Sequence, residues 1–435
     1  MKKRLPAGPP TYEIEATDEP LIARGGLVLP YEMARALKLP QIIDREMPAA
    51  GSGHGYHPSQ FVMPLILMLH GGGKTLEDLR ELKGEISLRK LLDMDEMPAS
   101  CTVGDWLRRT GSEKHGLSGL GKVNDHIVKQ VLKRDSRTEY TLDQDATIIE
   151  SEKEAALYTY QKEKGYQPFV GFLYECGMVL DDEFRDGNVH AGVGALESLK
   201  RCDQKMPAGK RIACYRGDSA SFQSAVLNYC FGDKTHPKKL FTITADKDAA
   251  VKKAIKAIPE KEWQRYTAEK QIAETIHSME KTTEAFRLIV QRWPKLQAEL
   301  FDSESYCYHV IATNREETAT QVVAIYNQRG DVENNFKELK NGFGMDWMPC
   351  GELQANAAFF RIGILAYNLF QAMKLLSLPV YWRTSTIATV RWKLYQTAGK
   401  LVYHARRIVL KLCAPIDKIR LFRQVSGKCC QVGYS

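Results

Sequence analysis

Tyr326, Arg329, Glu333 and Lys340 stand at a spacing of Y-x2-R-x3-E-x6-K in the segment YNQRGDVENNFKELK. At about 100° per residue they fall at roughly 0°, −60°, −20° and −40° on a helical wheel, one narrow stripe of one helix. An acid set among two cations and a phenol is a costly face for plain packing. It suits a site that holds a phosphate backbone beside a metal-binding carboxylate. The apolar residues Ile325, Val332, Phe336 and Leu339 form a second stripe at roughly 220° to 280°, so such a helix buries one side and presents Glu333 on another.

Further carboxylates stand where strands are expected to end. TEYTLDQDATIIE alternates and is rich in β-formers, and Asp143 and Asp145 within it are two apart, hence on one face of a strand. RIACYRGDS reads as another strand running into a polar turn at Gly217-Asp218-Ser219. Three carboxylates that converge repel one another unless a cation lies between them. Oxygen donors and a phosphate substrate favour Mg²⁺ or Mn²⁺. Two such ions activate a water or a 3′-hydroxyl and stabilise the leaving oxygen of an in-line displacement.

The elements that must hold these groups follow a readable order. After a Pro-rich start, GYHPSQFVMPLILMLH predicts an apolar helix from Pro58 to the glycines at 71–73, and TLEDLRELK, ISLRKLLDM and TVGDWLRRTG show helical spacing. Short helices joined by turns fit a helix-turn-helix DNA-binding module and equally any small helical bundle. PFVGFLYE and MVLDDEFR predict two strands joined at Cys176-Gly177. DGNVHAGVGALESLKRC predicts a helix with Asn188 near its start, SFQSAVLNYCF a helix and KLFTITA a strand. The sum is an α/β fold with a sheet of mixed direction. AAVKKAIKAI, either DNA-facing or solvated, and the strands AFRLIVQRW and YCYHVIATN precede the Glu333 helix, and AAFFRIGILAYNLFQAMKLL follows it as a core helix.

Composition sets the class. The chain has 435 residues, 44% hydrophobic and 26% charged, ordinary for a soluble protein. The apolar run at Phe61–Leu69 is too short to span a bilayer, and MKKRLPAGPPTYEIEATDEP lacks the apolar segment of a signal peptide. A cytoplasmic protein is expected, with its ten cysteines as free thiols, since none is spaced as a zinc ligand set. The net charge is +8, and the stretch from Arg391 onward holds ten Lys or Arg against Asp417 alone. A basic tail of that kind fits a polyanionic partner or a solvated surface. His70-Gly71-Gly72-Gly73-Lys74-Thr75 is not a phosphate-binding loop, because Met68 replaces the required glycine and a helix precedes it.

LDQDAT, YRGDSASF and YNQRGDVENNFKELK together carry a resemblance. The chain resembles the DDE transposases of bacterial insertion sequences, in the group marked by the Y-x2-R-x3-E-x6-K signature (transposase DDE domain group 1). GYQPFVGF, DGNVHAGVGA and AAFFRIGILAYNLF are similar to that group too, so the likeness spans roughly residues 25 to 410. It implies a ribonuclease H-like core with a β-rich insertion before the final acid. Carried over by position, Asp145 is the first metal ligand, being followed by a small residue and Thr, with Asp143 the alternative; Asp218 is the second and Glu333 the third. Tyr326, Arg329 and Lys340 would contact phosphates of the DNA. The family's Asp-Ser-Gly-Phe is Asp-Ser-Ala-Ser-Phe here, a mild departure.

The organisation expected is a helical N-terminal DNA-binding domain over 1–135, a ribonuclease H-like core over 136–245 and 313–380, an insertion over 246–312 and a basic C-terminal region over 381–435. The activity implied is cut-and-paste transposition. Two Mg²⁺ or Mn²⁺ ions serve cleavage and strand transfer at terminal inverted repeats of double-stranded DNA, within a homodimer on that DNA and, in the cell, at the nucleoid. A metal nuclease without strand transfer and a catalytically silent DNA-binding descendant are the alternatives. An aromatic of the insertion stacks on a flipped base in related enzymes, but ordinary packing is the simpler reading for Trp263 and Trp293, and core packing for Trp382 and Trp392.

Overall fold

The computed structural model describes residues 14–49, 51, 55–113, 115–295, 305–405 and 407–434. The first residues of the Pro-rich start, part of the 246–312 stretch and Arg406 of the basic tail lie outside them. After a short strand β1 (Leu21–Ile22) come, among the described residues, seven α-helices: α1 (Val28–Ala36), α2 (Leu39–Glu46), α3 (Pro58–Gly71), α4 (Leu79–Gly84), α5 (Ile86–Leu91), α6 (Ser100–Ser112) and α7 (Gly116–Arg134). α3 opens on Pro58, where a missing N–H costs nothing. It stops at Gly72, whose φ of 103° suits glycine and strains other residues.

The β part begins with β2 (Glu139–Ala146). A small separate sheet follows from β3 (Ile149–Glu150), β4 (Leu157–Tyr158) and β5 (Lys164–Tyr166). β6 (Phe169–Leu173) and β7 (Met178–Glu183) form a hairpin that turns at Gly177, φ 64°. Next come α8 (Ala195–Lys205), β8 (Arg211–Gly217), α9 (Ser224–Phe231), β9 (Leu240–Thr244) and α10 (Ala249–Lys256). β10 (Gln264–Arg265), β11 (Gln271–His277), β12 (Phe286–Pro294) and β13 (Tyr306–Thr313) follow. The helix expected across 186–202 starts only at Ala195, because Gly194 at φ 76° precedes it, and a Cβ at Gly187 would lie 2.5 Å from the Leu157 carbonyl oxygen.

These strands make one nine-stranded sheet, ordered β10-β11-β12-β13-β9-β8-β2-β6-β7. β2, β8 and β9 are parallel, and the flanking pairs are antiparallel, so the mixed α/β architecture expected from the sequence is present. The strands between residues 264 and 313 continue this same sheet, β13 pairing with β9. Parallel neighbours bring their C-terminal ends to one sheet edge. The last pairs, Gln144 with Gly217 and Gly217 with Ile243, put Asp145, Asp218 and Thr244 one residue further on, in line across that edge.

Past the sheet run α11 (Ala319–Asn327), α12 (Gly330–Lys337), the long α13 (Leu353–Leu376), a short α14 (Ile387–Val390), a hairpin of β14 (Gly399–His404) and β15 (Arg407–Leu412), and α15 (Ile416–Tyr434). α13 is buried along most of its length and packs on α3, α6, α7 and β7. One hydrophobic core therefore runs from the first helices into the sheet. The basic tail folds back: β14 pairs with β1, and α15 lies on α1. All ten cysteines are free, with Cys176, Cys202, Cys230, Cys350 and Cys429 buried. Trp263 and Trp382 are buried as expected, whereas Trp392 is 76% exposed, so core packing is not its role. Among the described residues no helix is long and apolar enough to cross a membrane.

Candidate active site

Asp143 and Asp145 point to the same side of β2 but into different surroundings. Asp143 is fully buried, and both its oxygens are taken by Arg216, Nε to Oδ1 at 2.6 Å and Nη2 to Oδ2 at 2.7 Å. Burial pushes its pKa up to about 6 against the pull of that guanidinium. Asp145, two residues on, keeps partial access, its side chain 19% exposed. Its Oδ1 accepts from the Ala146 N–H at 2.9 Å. Burial raises its pKa to about 6 as well, opposed by Arg329 and reinforced by the nearby carboxylate of Asp218.

Asp218 leaves β8 at the next strand over. Its Oδ1 accepts from the Ala220 N–H at 3.1 Å, which caps a tight turn over Ser219–Ser221. That turn folds back on Gly217, where a Cβ would lie 2.7 Å from the Cβ and Oγ of Ser221. Glycine is thus what lets the strand end abruptly with Asp218 at the sheet edge.

The signature residues come from α11 and α12, and here the expectation of one straight helix fails. The helix breaks at Gln328–Arg329. The Arg329 N–H bonds to the Tyr326 carbonyl, three residues back, and Val332 bonds likewise to Arg329. The acceptor that a continuous helix would give Arg329, the carbonyl of Ile325, receives Arg216 Nη1 at 3.0 Å instead. Gly330, a weak helix former, follows the break, and a π-helical turn over Glu338–Gly342 carries Lys340. Val332, Phe336 and Leu339 are buried, as their stripe required.

The broken helix spreads its polar residues along the sheet edge. The Tyr326 hydroxyl bonds to Thr244 Oγ1 at the end of β9, and its ring leans on His309, centroids 5.4 Å apart. Arg329 reaches β2, its Nη2 2.7 Å from Asp145 Oδ2. That contact is a charge pair without hydrogen-bond alignment, and Arg329 Nε is buried without an acceptor. Burial works against the guanidinium's charge, yet Asp145, Tyr326 and Asp218 together hold its pKa above the usual value. Lys340 Nζ donates to the Ile148 carbonyl at 2.6 Å, and burial lowers its pKa. Two cations from the signature therefore grip residues 145–148.

Glu333 is exposed on α12. Among the described residues no three His, Cys, Asp or Glu side chains are grouped to hold one metal ion. Asp145 and Asp218 lie near enough to each other for the charge of Asp218 to raise the pKa of Asp145. The guanidinium of Arg329 supplies positive charge beside the pair.

Arg216, Gln328 and Thr244 were not singled out by sequence reasoning. A signal for Arg216 was available: an arginine two residues before Asp218, following the apolar run Ile212–Tyr215, shares the face of Asp218, and a charge there must be paired when buried.

A family model described as transposase DDE domain group 1 matches residues 11–432. No curated protein matches the chain. Among solved structures, the cryo-EM structure of the piggyBac transposase synaptic complex with hairpin DNA aligns with a TM-score of 0.48 and 10% identity, over 86% of this chain and 80% of that one.

Proposed function

The chain belongs to the transposase DDE domain group 1 family, and from that premise we propose that it cuts and rejoins DNA at the sheet edge formed by Asp145 and Asp218. The observation that carries this reading is their alignment. Two carboxylates end adjacent parallel strands at matched register, with Arg329 against the first. The mixed sheet, its parallel centre flanked by antiparallel strands, supports a ribonuclease H-like core.

The donors are compatible with a hard divalent cation. Both are carboxylates, and Asp218 makes the negative charge of Asp145 harder to hold, a conflict that a cation relieves. Asp145 and Asp218 would hold Mg²⁺ or Mn²⁺, and Glu333 is proposed as the third donor on the strength of its place in the signature, not of proximity. When bound, two such ions polarise the scissile phosphate and activate the attacking water or 3′-hydroxyl.

The chain's own residues bind and orient the DNA. Arg329 and Lys340 flank residues 145–148 and are proposed to contact phosphates next to the scissile bond, Arg329 in a bidentate fashion. Tyr326, tied to Thr244, is proposed to contact the backbone on the β9 side. Cut-and-paste transposition at the inverted repeats of an insertion sequence, by a homodimer, is the full reading.

The test uses duplexes bearing the ends of the element. Asp145→Asn, Asp218→Asn and Glu333→Gln should each lose Mg²⁺-dependent nicking while binding the same DNA. Pre-cut ends should be joined to a target by the wild type. Full nicking by all three variants would overturn the assignment, and cleavage without joining would reduce it to a nuclease.

A further inference from the structure

β7 ends where Asp145 ends. Asp145 pairs with Val170, and Val170 with Asp182, so the chain leaves β7 after Glu183 at the sheet edge that carries the two aspartates. It then runs through FRDGNVHAGVG to α8. On the way it meets the turn after Asp218. Gln223 Nε2 donates to the carbonyls of Gly192 and Ala220, each at 2.7 Å, and a Cβ at Gly192 would lie 2.5 Å from the Ala220 oxygen. With the strands ordered β8-β2-β6-β7, this loop crosses from the end of β7 to the end of β8, and the ends of β6 and β2 lie between.

The loop is fastened along its length. Arg185 Nη1 donates to the Val193 carbonyl at 2.6 Å, and its Nε to the Gln167 carbonyl at 3.1 Å. The Gln167 amide, with its NH2 turned to the loop, donates to the carbonyls of Gly187 at 3.3 Å and Val189 at 2.9 Å. The N–H groups of Val189 and Val193 close turns onto the carbonyls of Asp186 and His190. Asn188 and His190 are exposed on this bonded backbone.

The loop also carries nitrogens that lack an acceptor. The Gly192 N–H donates to His190 Nδ1 at 3.1 Å, so the neutral ring carries its proton on Nε2. Among the described residues that Nε2 has no partner. The Arg185 guanidinium is buried, 4% exposed, with the Phe169 ring centroid 4.9 Å away. Its Nη2 has no acceptor, and burial lowers its pKa with Glu183 alone opposing. Glu183 is itself paired with Arg201 at 3.1 Å. Asp186, the acid of the loop, has its pKa raised by burial with no pull from Arg185, so the two are not a pair.

A free N–H donor and a buried cation without a carboxylate, in one stiff loop, make a site for an anion. The place selects which anion. The loop spans the strand ends at which Asp145 and Asp218 would hold the phosphodiester to be cut.

We propose that residues 185–193 form a phosphate-binding loop on this edge, in which His190 donates from Nε2 to a backbone phosphate of the DNA beside the scissile bond, and Arg185 adds positive charge from the buried side. The inference rests on the reading of the chain as a DNA-cutting transposase. It adds a DNA contact that the signature residues do not include.

Single-turnover nicking of end duplexes by the full-length protein in Mg²⁺ tests it, with the phosphates flanking the nick on both strands replaced one at a time by an uncharged methylphosphonate. At one of them the wild type should lose about tenfold or more in rate, as expected for a hydrogen bond to a charged group. His190→Ala should be slower by a similar factor on the unmodified duplex and lose little further at that phosphate. At every other position the two proteins should lose equally. His190→Gln keeps an N–H donor and should recover much of the rate and of the sensitivity at that phosphate. A role confined to shaping the loop would slow His190→Ala and leave its sensitivity at every phosphate as in the wild type. Equal losses at all positions, or a wild-type rate in His190→Ala, would therefore overturn the inference and leave the transposase reading standing. Absence of Mg²⁺-dependent nicking by the wild type would overturn both.

Discussion

Arg216 donates from Nη1 to the carbonyl of Ile325 at 3.0 Å, taking the acceptor that an unbroken helix would offer to the N–H of Arg329. The same guanidinium closes both oxygens of Asp143 and covers the Tyr174 ring at 4.2 Å. One buried side chain thus joins the centre of the sheet to the helix break from which Arg329 reaches Asp145. Asp143 has both oxygens taken by this bond network, whereas the side chain of Asp145 keeps 19% exposure.

Truncating one partner of a buried ion pair strands the other. Arg216→Met should lower stability by about 3 to 5 kcal/mol, read as a fall in the thermal midpoint. Pairing it with Asp143→Leu should recover much of that loss, because no buried charge is then unpaired. Nicking should stay low in the double variant, since the Ile325 carbonyl regains its helical partner and Arg329 loses its approach to Asp145.

Gly217 should tolerate no side chain while Ser221 is in place. Gly217→Ala brings a Cβ to 2.7 Å from that of Ser221, an overlap that costs about 1 to 3 kcal/mol and displaces Asp218. Nicking should fall sharply with a smaller change in thermal midpoint. Adding Ser221→Gly should restore part of the rate, and no restoration would place the cause elsewhere.

The signature's residues should separate by function. Arg329→Gln should weaken binding of an end duplex by about tenfold and reduce its salt slope by about one. Glu333→Gln should leave binding unchanged and remove cleavage. Anisotropy and a nicking assay on the same preparations check both.

His70, in the last turn of α3, has a structural part to play. His70 is fully buried, with Nε2 3.0 Å from the Ala366 carbonyl and Nδ1 3.2 Å from the Tyr395 hydroxyl, linking α3 to α13 and the segment after α14. Burial, with Arg391 nearby, drops its pKa to about 3. The folded state therefore keeps His70 neutral while the unfolded chain takes up a proton near pH 6.5. Its contribution to stability is complete above that pH and is lost as pH falls toward 3, about 2 to 3 kcal/mol by pH 4.5. His70→Gln, neutral throughout, should flatten the fall of the thermal midpoint between pH 6.5 and 4.5.

Local pattern carried most of this architecture. The α3 boundaries follow from Pro58 and Gly72, the β6–β7 turn from Gly177, and the strand ends at Asp145 and Asp218 from alternation followed by polar turns. The helix break was not legible, because the wheel assigns angles from sequence while the break comes from Arg216, over a hundred residues earlier, competing for one carbonyl. Nor was the exposure of Glu333 on α12: a stripe on a wheel says which residues share a face, not what that face packs against. The late start of α8 came from backbone crowding at Gly187 and the positive φ of Gly194, both set by contacts across the fold.

Single-turnover nicking of an end duplex in Mg²⁺ and in EDTA, by the wild type, Asp145→Asn and Asp218→Asn, bears most directly on the central claim. The paired carboxylates at the sheet edge should make the wild-type rate metal-dependent, and each substitution should cut it by about a thousandfold or more, on the order of 4 kcal/mol of barrier, with DNA binding intact. Wild-type rates in either variant, or undiminished wild-type cleavage in EDTA, would contradict the account.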